Sequence, residues 1–322
     1  CESEPGCGAP PVVVRGCREP EVGGALTFYD SPVNRDRFVG VGTCLAVATL
    51  LAASMLLAGC STPPKSAEDS RETAVPSGAF PTDLVFDYQL GGGYEPAAGV
   101  GGVVRDSTES PDPHRFSICY VNGFQSQPAD RDAWLAEPDL VLTDSAGAPI
   151  IDENWPDELI FDAATDDRRA RIAERIGTDI ARCSDAGFDA VEIDNLDSYA
   201  RSQGRLTVDD AIALATRYAE IAHGTGMLIG QKNTPELGAR GRDEVGFDFA
   251  VAEECQRFDE CTVYTEIYGT AVLDIEYTDD LNGTFEGVCA DPQVPHSTVL
   301  RDRDLTPNGD PTHVFEACAI EE

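Results

Sequence analysis

Positive charge is scarce in this sequence. The 322 residues include 23 Lys and Arg against 58 Asp and Glu, a formal net charge of −35, and the only lysines are Lys65 and Lys232. Without the four basic and six acidic residues that precede Cys60, the balance is 19 to 52, or −33. Because nucleic acids are bound through clustered basic side chains, they are excluded as partners. Such acidity keeps a protein soluble, and it also attracts cationic ligands.

Histidine is also rare, and no Cys-x-x-Cys pair is present. Zinc sites use closely spaced Cys and His ligands, so we predict neither a structural zinc site nor any other metal or cofactor. The four histidines are well separated, at His114, His223, His296 and His313.

The one long apolar run lies near the N-terminus. Residues 38–59, FVGVGTCLAVATLLAASMLLAG, carry no charge, follow Arg35 and Arg37, and precede Cys60. A basic start, an apolar core and small residues before a cleavage point are typical of a secretory signal. The ending LAGC resembles the lipobox of bacterial lipoproteins, whose cysteine is lipidated. We expect a protein of the cell envelope or extracellular space that contacts the bacterial membrane only through lipid on Cys60. The alternative is a membrane-spanning helix.

The chain divides into three parts by composition. Residues 1–59 comprise the signal peptide and an upstream segment, 1–32, which holds three cysteines and no methionine. We interpret this upstream segment as an over-extended reading frame, with the start near Val33. Residues 60–80 are polar and lack an apolar period, which predicts a flexible linker. Residues 81–322 suit a single domain.

Six cysteines follow Cys60, an even number in an exported chain, which predicts disulfides. We expect Cys255–Cys261 to close a short loop and Cys289–Cys318 to fasten the C-terminal segment. Cys119 and Cys183 either pair or remain buried thiols.

Short β-branched runs alternate with helical patterns in the domain. The first helix, 167–183, carries Ile172, Ile176 and Ile180 on one face; the second begins at a Thr207–Asp210 capping box and ends at His223–Gly224. This alternation predicts the α/β class and a single-domain (β/α)8 TIM-type barrel. The predicted strands are 84–90, 102–107, 116–121, 158–163, 189–194, 228–233, 247–253, 271–277 and 297–302.

Two features depart from a regular barrel. The links 91–101 and 108–115 contain Gly and Pro but no helical pattern, so the first strands are joined by irregular short links. Nine candidates also exceed eight strands. Either 297–302 or an early strand lies outside the barrel, or the barrel is decorated.

Polar side chains follow most of the predicted strands. In a barrel the C-terminal strand ends meet at one mouth, where active sites lie. The sequence therefore predicts a site there, formed from Asp106, Asp162, Glu192, Asp194, Asn195, Lys232, Asn233, Glu253, Glu254, Glu276 and Tyr277.

Several segments together resemble glycoside hydrolase family 114 over residues 84–318: FDYQLGGGY, ICYVNGF, DAVEIDNLDSY, QKN, DFAVAEEC and VLDIEYTD. Members are described as secreted endo-α-1,4-polygalactosaminidases with a (β/α)8 barrel. Ile193 replaces a usual Pro, and Ala252 and Glu254 replace a usual Asn and Gln. The resemblance implies that both family carboxylates are present, as Asp194 and Glu253.

Glycosidic cleavage needs two carboxyl groups that flank the bond. Asp194 ends the fifth predicted strand; Asn195 and Lys232 would keep it ionised, so we assign it as nucleophile or electrostatic stabiliser. Glu253 ends the seventh, after apolar FDFAV; partial burial would raise its pKa and make it the general acid/base. The two roles are exchangeable, and retention or inversion stays open.

Other polar residues are candidates for the lining of a sugar cleft. Glu192 points the same way as Asp194 and either binds substrate or tunes Asp194. An acidic cleft suits a cationic galactosamine polysaccharide. The alternative function is a catalytically inactive, surface-anchored sugar-binding lipoprotein. The remaining candidates for substrate binding are Asn195, Lys232, Asn233, Asp106, Tyr88, Gln89, Tyr120 and Glu276.

Overall fold

The computed structural model describes residues 78–318. The predicted signal peptide, the lipidation site Cys60 and nearly all of the predicted linker lie outside these residues. Phe80, the last linker residue, is buried and stacks on Phe249 with ring centroids 4.5 Å apart, so folded structure includes Phe80. None of the helices between residues 78 and 318 combines the length and apolar character that a membrane crossing requires.

The described residues form a nearly closed barrel of eight parallel strands, with a ninth strand antiparallel to the eighth. Each strand pairs with its sequence neighbour, which confirms the predicted (β/α)8 TIM-type class. The strands are β1 (Phe86–Tyr88), β2 (Gly102–Asp106), β3 (Phe116–Asn122), β4 (Ala190–Asp194), β5 (Leu228–Lys232), β6 (Phe249–Glu253), β7 (Val272–Tyr277), β8 (Ser297–Arg301) and β9 (Phe315–Ala317).

Side-chain alternation along the strands explains why carboxylates occupy a buried strand. On β4, Ala190 belongs to the apolar cluster inside the barrel, whereas Val191 and Ile193 pack in the cluster outside it, with the helices. Since successive side chains point to opposite faces, Glu192 and Asp194 share the interior side with Ala190. The carboxylates therefore line the upper interior and mouth of the barrel.

Two long helices cover the strands that carry these groups. They are the predicted pair: α2 (Asp166–Ala186) ends at left-handed Gly187, and α3 (Val208–Thr225) begins with the predicted capping box. The predicted end of α3 at Gly224 is wrong, because Gly226, at φ 85°, supplies the left-handed residue that closes the helix. The remaining α-helices are short: α1 (Arg131–Leu135), α4 (Cys261–Tyr268) and α5 (Phe285–Cys289).

The predicted strand 158–163 is not part of the barrel. These residues make only isolated antiparallel bridges within the long connection from β3 to α2, where Leu159, Ile160 and Phe161 are buried in the outer cluster. A short apolar run does not by itself distinguish a barrel strand from a buried connection. Residues 297–302 instead supply β8, so Asp194 and Glu253 end the fourth and sixth strands rather than the fifth and seventh.

Three disulfides fasten the periphery. The structure contains the expected pairs Cys255–Cys261 and Cys289–Cys318. It also joins Cys119 on β3 to Cys183 on α2, so these two cysteines pair rather than remain as buried thiols. A helix that covers the site strands is thus covalently attached to the sheet.

Arg301 bridges the seam between β8 and β1. Its side chain is fully buried, and Nη1 donates to Asp87 Oδ1 at 2.9 Å and to the Tyr88 carbonyl oxygen. Nε and Nη2 donate to the carbonyl oxygens of Val314 and Thr306 at 2.9 and 3.0 Å. At this junction, hydrogen bonds from the Arg301 side chain connect β8 to β1 in place of a ladder of backbone hydrogen bonds.

We expect Arg301→Leu to lower the free energy of unfolding by about 3–5 kcal/mol, because it leaves Asp87 charged, buried and unpaired. Denaturant unfolding followed by circular dichroism measures the change. The matched control is Arg242→Leu, which removes a surface pair with Asp243 and is expected to leave stability nearly unchanged. Equal midpoints for the two variants would contradict the seam assignment.

Candidate active site

A cleft of about 750 Å³ lies at the C-terminal mouth of the barrel. This volume is within the range of about 300–1,000 Å³ that is usual for ligand sites. Asp194, Lys232 and Glu253, from β4, β5 and β6, lie side by side in its wall. Neighbouring parallel strands thus bring together groups that long helical connections separate in the sequence.

Lys232 lies between the carboxylates of Asp194 and Glu253. Its Nζ lies 2.9 Å from Glu253 Oε2 and 3.5 Å from Asp194 Oδ2, so the separation of these two oxygens cannot exceed the two distances laid end to end. The Lys232 side chain is 3% exposed, whereas those of Asp194 and Glu253 are 20% and 28% exposed. The two carboxylates therefore face the cleft, and the ammonium lies between and beneath them.

Glu253 is held as an anion in the substrate-free protein. Burial raises its pKa, but the Lys232 charge and three hydrogen-bond donors outweigh burial and lower the pKa to about 2. Asn233 Nδ2 donates to Oε2 at 3.0 Å, and the Tyr277 hydroxyl donates to Oε1. The expectation that partial burial keeps Glu253 protonated is therefore wrong for this state, because burial is not the dominant influence.

Asp194 also accepts several hydrogen bonds. The Tyr120 hydroxyl donates to Oδ2 at 2.7 Å, and the backbone N–H of Asn195 donates to Oδ1 at 2.6 Å. The Asn195 amide is fixed in turn, since Gln125 Nε2 donates to its side-chain oxygen and its own Nδ2 donates to Asn122 at 3.1 Å. Asp194 is thus oriented by donors on two sides.

Glu192 lies below the cleft and is fully buried. The Tyr88 hydroxyl donates to its Oε1 at 2.7 Å, and its Oε2 is buried without a partner among the described residues. Burial raises the pKa of Glu192 to about 8, although the Lys232 charge, 3.8 Å away, opposes this shift. Glu192 therefore retains a proton at neutral pH. Its predicted role in substrate binding is wrong because it is enclosed, which leaves the expected alternative of tuning Asp194.

Three site strands end in left-handed backbone at residues other than glycine. Asn195 follows β4 at φ 61°, Asn233 and Thr234 follow β5 at 48° and 65°, and Glu254 follows β6 at 60°. This region is unfavourable for L-residues, for Thr and Glu more than for Asn. Backbone strain of this kind is found at functional sites, where the surrounding structure holds a residue in an unfavourable conformation.

Most of the predicted lining residues reach the cleft, but Gln89 and Glu276, like Glu192, do not. Gln89 and Glu276 point to the opposite strand faces from Tyr88 and Tyr277. Gln89 Nε2 donates to Asp87 at 2.9 Å, and Glu276 accepts the Gln256 N–H at 2.8 Å. Their prediction is wrong because strand parity, rather than position at a strand end, decides which side chains face inward. The predicted residues that do line the cleft are Tyr88, Asp106, Tyr120, Asn195, Lys232 and Asn233.

Tyr277, a predicted strand-end residue, lines the cleft and alternates with interior Leu273 and Ile275. Other cleft residues lie outside the predicted strand ends. Trp155 and Glu158 lie in the long β3–α2 connection, and Arg303 follows β8, where no pattern indicates proximity. Burial raises the pKa of Glu158 to about 7, against the effect of the Asn122 amide that donates to it at 2.9 Å.

The cleft is acidic overall. Within the described chain, the cationic side chains of its lining all contact carboxylates: Lys232 as above, Arg201 with Asp152 and Asp197, and Arg303 with Glu254 and Asp279. An incoming ligand therefore meets mainly negative charge. The carboxyl groups of the lining are those of Asp106, Asp152, Glu158, Asp194, Asp197, Glu253 and Asp304.

A metal site is not formed by these carboxylates. Within residues 78–318, the group with suitable ligand spacing is Cys255, Cys261 and Asp274. Its two cysteines are joined in a disulfide and offer no thiolate.

A parallel (β/α)8 barrel with two cleft-facing carboxylates at strand ends defines the class of barrel glycosidases. The model of glycoside-hydrolase family GH114 matches residues 66–321. The chain belongs to glycoside hydrolase family 114 and is a glycoside hydrolase.

A solved structure shares the fold. Aspergillus fumigatus Ega3, in a complex with galactosamine, superposes with a TM-score of 0.59 at 22% identity over 74% of this chain and 97% of that chain. The glycoside hydrolase domain of PelA from Pseudomonas aeruginosa gives a TM-score of 0.47 at 14% identity, covering 73% and 98%. No curated protein matches the chain significantly.

The raised pKa of Glu192 predicts a pH-dependent stability. The unfolded chain releases this proton near pH 4.5, whereas the folded protein retains it to about pH 8. Folding therefore binds a proton between these values, and the contribution of Glu192 to stability is full below pH 4.5 and falls by up to about 1.4 kcal/mol per pH unit as pH rises through the window.

Glu192→Gln removes this titration and keeps an acceptor for Tyr88. We expect the free energy of unfolding of wild type, relative to the variant, to decline from pH 5 to pH 8. Denaturant unfolding of both proteins at each pH measures it. Parallel stability curves would mean that Glu192 does not retain its proton.

Proposed function

We propose that this glycoside hydrolase cleaves α-1,4-linked galactosamine-containing polysaccharide with Asp194 and Glu253 as the catalytic pair. The observation that carries the proposal is the pair itself: two partly exposed carboxylates on either side of buried Lys232, at 3.5 and 2.9 Å from its Nζ.

The charge of the cleft supports an amino-sugar substrate. Seven carboxyl groups line it, and the cations described in its wall are already paired, so the ammonium groups of galactosamine are attracted and anionic sugars are repelled. Trp155 is 60% exposed at the cleft and offers a ring face for a cation–π contact with an ammonium group. The fold shared with Ega3, which was solved with galactosamine, is consistent with this choice.

The roles within the pair stay a prediction, with Asp194 as nucleophile and Glu253 as general acid/base. The Glu253 of the substrate-free protein, with its pKa near 2, meets the acid role only if a bound sugar raises that pKa. In the exchanged assignment Glu253 would act as the ionised nucleophile, which agrees with its low pKa. Azide rescue distinguishes them: replacing the nucleophile by alanine gives a glycosyl azide of inverted configuration, and replacing the acid/base gives one of retained configuration.

The spacing of the pair favours retention. Inverting enzymes separate their carboxyl groups by about 6.5–9.5 Å and retaining enzymes by about 5–5.5 Å. Asp194 Oδ2 and Glu253 Oε2 lie 3.5 and 2.9 Å from the same nitrogen, so even a straight line through Lys232 Nζ would place these two oxygens no farther apart than the lower edge of the inverting range. We expect the first-formed reducing ends to be α-anomers, as observed by proton NMR early in hydrolysis. Initial β-anomers would exclude a nucleophilic carboxylate.

The catalytic pair is tested with partially N-deacetylated α-1,4-galactosamine polymer. Asp194→Asn and Glu253→Gln are each expected to lower kcat at least about 100-fold, because each removes a group that acts in the transition state. Reducing-end release measures the rate. Asp185→Asn, on the exposed end of α2, is the control and should match wild type.

The same assay distinguishes a hydrolase from an inactive sugar-binding protein. Binding of the polymer by wild type without cleavage at any pH would identify an inactive sugar-binding protein. Cleavage that persists in both variants would remove Asp194 and Glu253 from the mechanism.

We also propose that the enzyme is exported and anchored to the bacterial membrane by lipid on Cys60. The support is the sequence of residues 38–60, outside the described residues. Incorporation of labelled palmitate by wild type but not by Cys60→Ser would agree with the anchor, and labelling of neither would contradict it.

A further inference from the structure

Phe258 is an exposed apolar side chain beside the catalytic pair. It follows β6 and Glu253, and it is 56% exposed. Phe258 lines a second cavity of about 280 Å³. Asp197, Asn233 and Glu253 line both this cavity and the catalytic cleft, so the two are adjacent. An exposed aromatic ring in a cavity beside the cleft is therefore a candidate ligand contact.

The loop that carries Phe258 is held rigidly. The Cys255–Cys261 disulfide closes it, and the Phe258 N–H donates to the Glu254 carbonyl oxygen at 3.0 Å. Two fully buried carboxyl groups on β7 bind its backbone: Asp274 accepts the Cys255 N–H at 3.2 Å, and Glu276 accepts the Gln256 N–H at 2.8 Å. The ring is thus presented to solvent by a fixed support rather than by a flexible segment.

Phe258 and Trp155 lie on different sides of the catalytic pair. Trp155 belongs to the connection after β3, Phe258 to the loop after β6, and the strands between them carry Asp194 and Lys232. In the order of the strands, the carboxylate pair thus lies between the connection that carries Trp155 and the loop that carries Phe258. Exposed aromatic rings on both sides of the pair fit an extended polymer better than a single sugar.

The charge of the second cavity matches the first. Its described lining includes the carboxyl groups of Asp197, Glu236, Glu253, Glu254 and Glu260 and no Lys or Arg side chain. Just outside it, the Arg257 guanidinium lies 5.6 Å from the centroid of the Phe258 ring, and Arg303 pairs with Glu254. The Tyr199 hydroxyl donates to Glu236 Oε1 at 2.6 Å and orients that carboxylate. An aromatic face beside oriented carboxylates complements a pyranose ring that carries an ammonium group.

We propose that the Phe258 loop and its cavity form a distal subsite that binds a further amino-sugar residue of the same polysaccharide chain, on the Glu253 side of the cleaved bond. This inference rests on the proposed function. Because the subsite contacts sugar away from the reacting bond, it strengthens binding of substrate and transition state equally and makes the enzyme favour long chains.

The test is Phe258→Ala, with Phe258→Trp as the conservative variant. Leu135→Ala, a change of another exposed apolar residue that lies away from the cavity, is the matched control. We expect Phe258→Ala to raise KM for the long polymer about three- to tenfold with kcat unchanged, and to leave kcat/KM for the shortest cleaved oligosaccharides unchanged. Phe258→Trp should restore the wild-type KM, and melting temperatures show that each variant is folded.

A charge variant examines the ligand class. Glu236→Gln with Glu260→Gln is expected to raise KM for fully N-deacetylated polymer more than for a largely N-acetylated one, because only the former carries an ammonium group on each sugar.

The outcomes separate this inference from the proposed function. Wild-type KM and product lengths in Phe258→Ala, while wild type cleaves the polymer, would overturn the distal subsite alone. An equal loss on short and long substrates would also overturn it, since it would assign Phe258 to the support of Glu253. Failure of wild type to cleave any galactosamine polymer would overturn both.

Discussion

A lysine buried among three carboxyl groups is the interaction on which the site depends. Lys232 is a cation inside an apolar barrel, and its burial is tolerated because Asp194, Glu192 and Glu253 surround its ammonium group. The dependence is mutual, because Lys232 draws the two cleft-facing carboxylates together and keeps Glu253 ionised. Glu192, the third and deepest, retains its proton, so the cluster avoids three full negative charges in one enclosed space.

The barrel provides the alignment that this cluster needs. β4, β5 and β6 are hydrogen-bonded neighbours. Lys232 pairs with Val251, two residues before Glu253, so Glu253 lies one interior layer nearer the mouth than Lys232. Gly230 on β5 leaves room for the ring of Phe249 on β6, because a Cβ there would lie 2.5 Å from that ring. At the opposite side of the barrel, Arg301 closes the seam with hydrogen bonds from one side chain. Arg301 and the acidic cluster thus lie in different parts of the same sheet.

Loops supply further residues at and beside the cleft. The β3–α2 connection supplies Trp155 and Glu158, and the disulfide-closed loop after β6 supplies Phe258. The buried carboxyls Asp274 and Glu276 hold that second loop from the outer face of β7. Inward residues of the barrel wall thus line the cleft, and outward residues of β7 hold a loop beside it.

The sequence by itself determined the fold class and the two long helices, because apolar periodicity and capping residues are local signals. Its resemblance to a known family singled out Asp194 and Glu253 among the polar strand ends. Only the tertiary structure decided that residues 158–163 lie outside the barrel, that Gln89 and Glu276 face away from the cleft, and that Glu253 is ionised. Each of these depends on which side chains from distant segments become neighbours. The pKa of Glu253 in particular follows from the balance between burial and the nearby Lys232 ammonium group. The distance between these two groups cannot be read from the sequence.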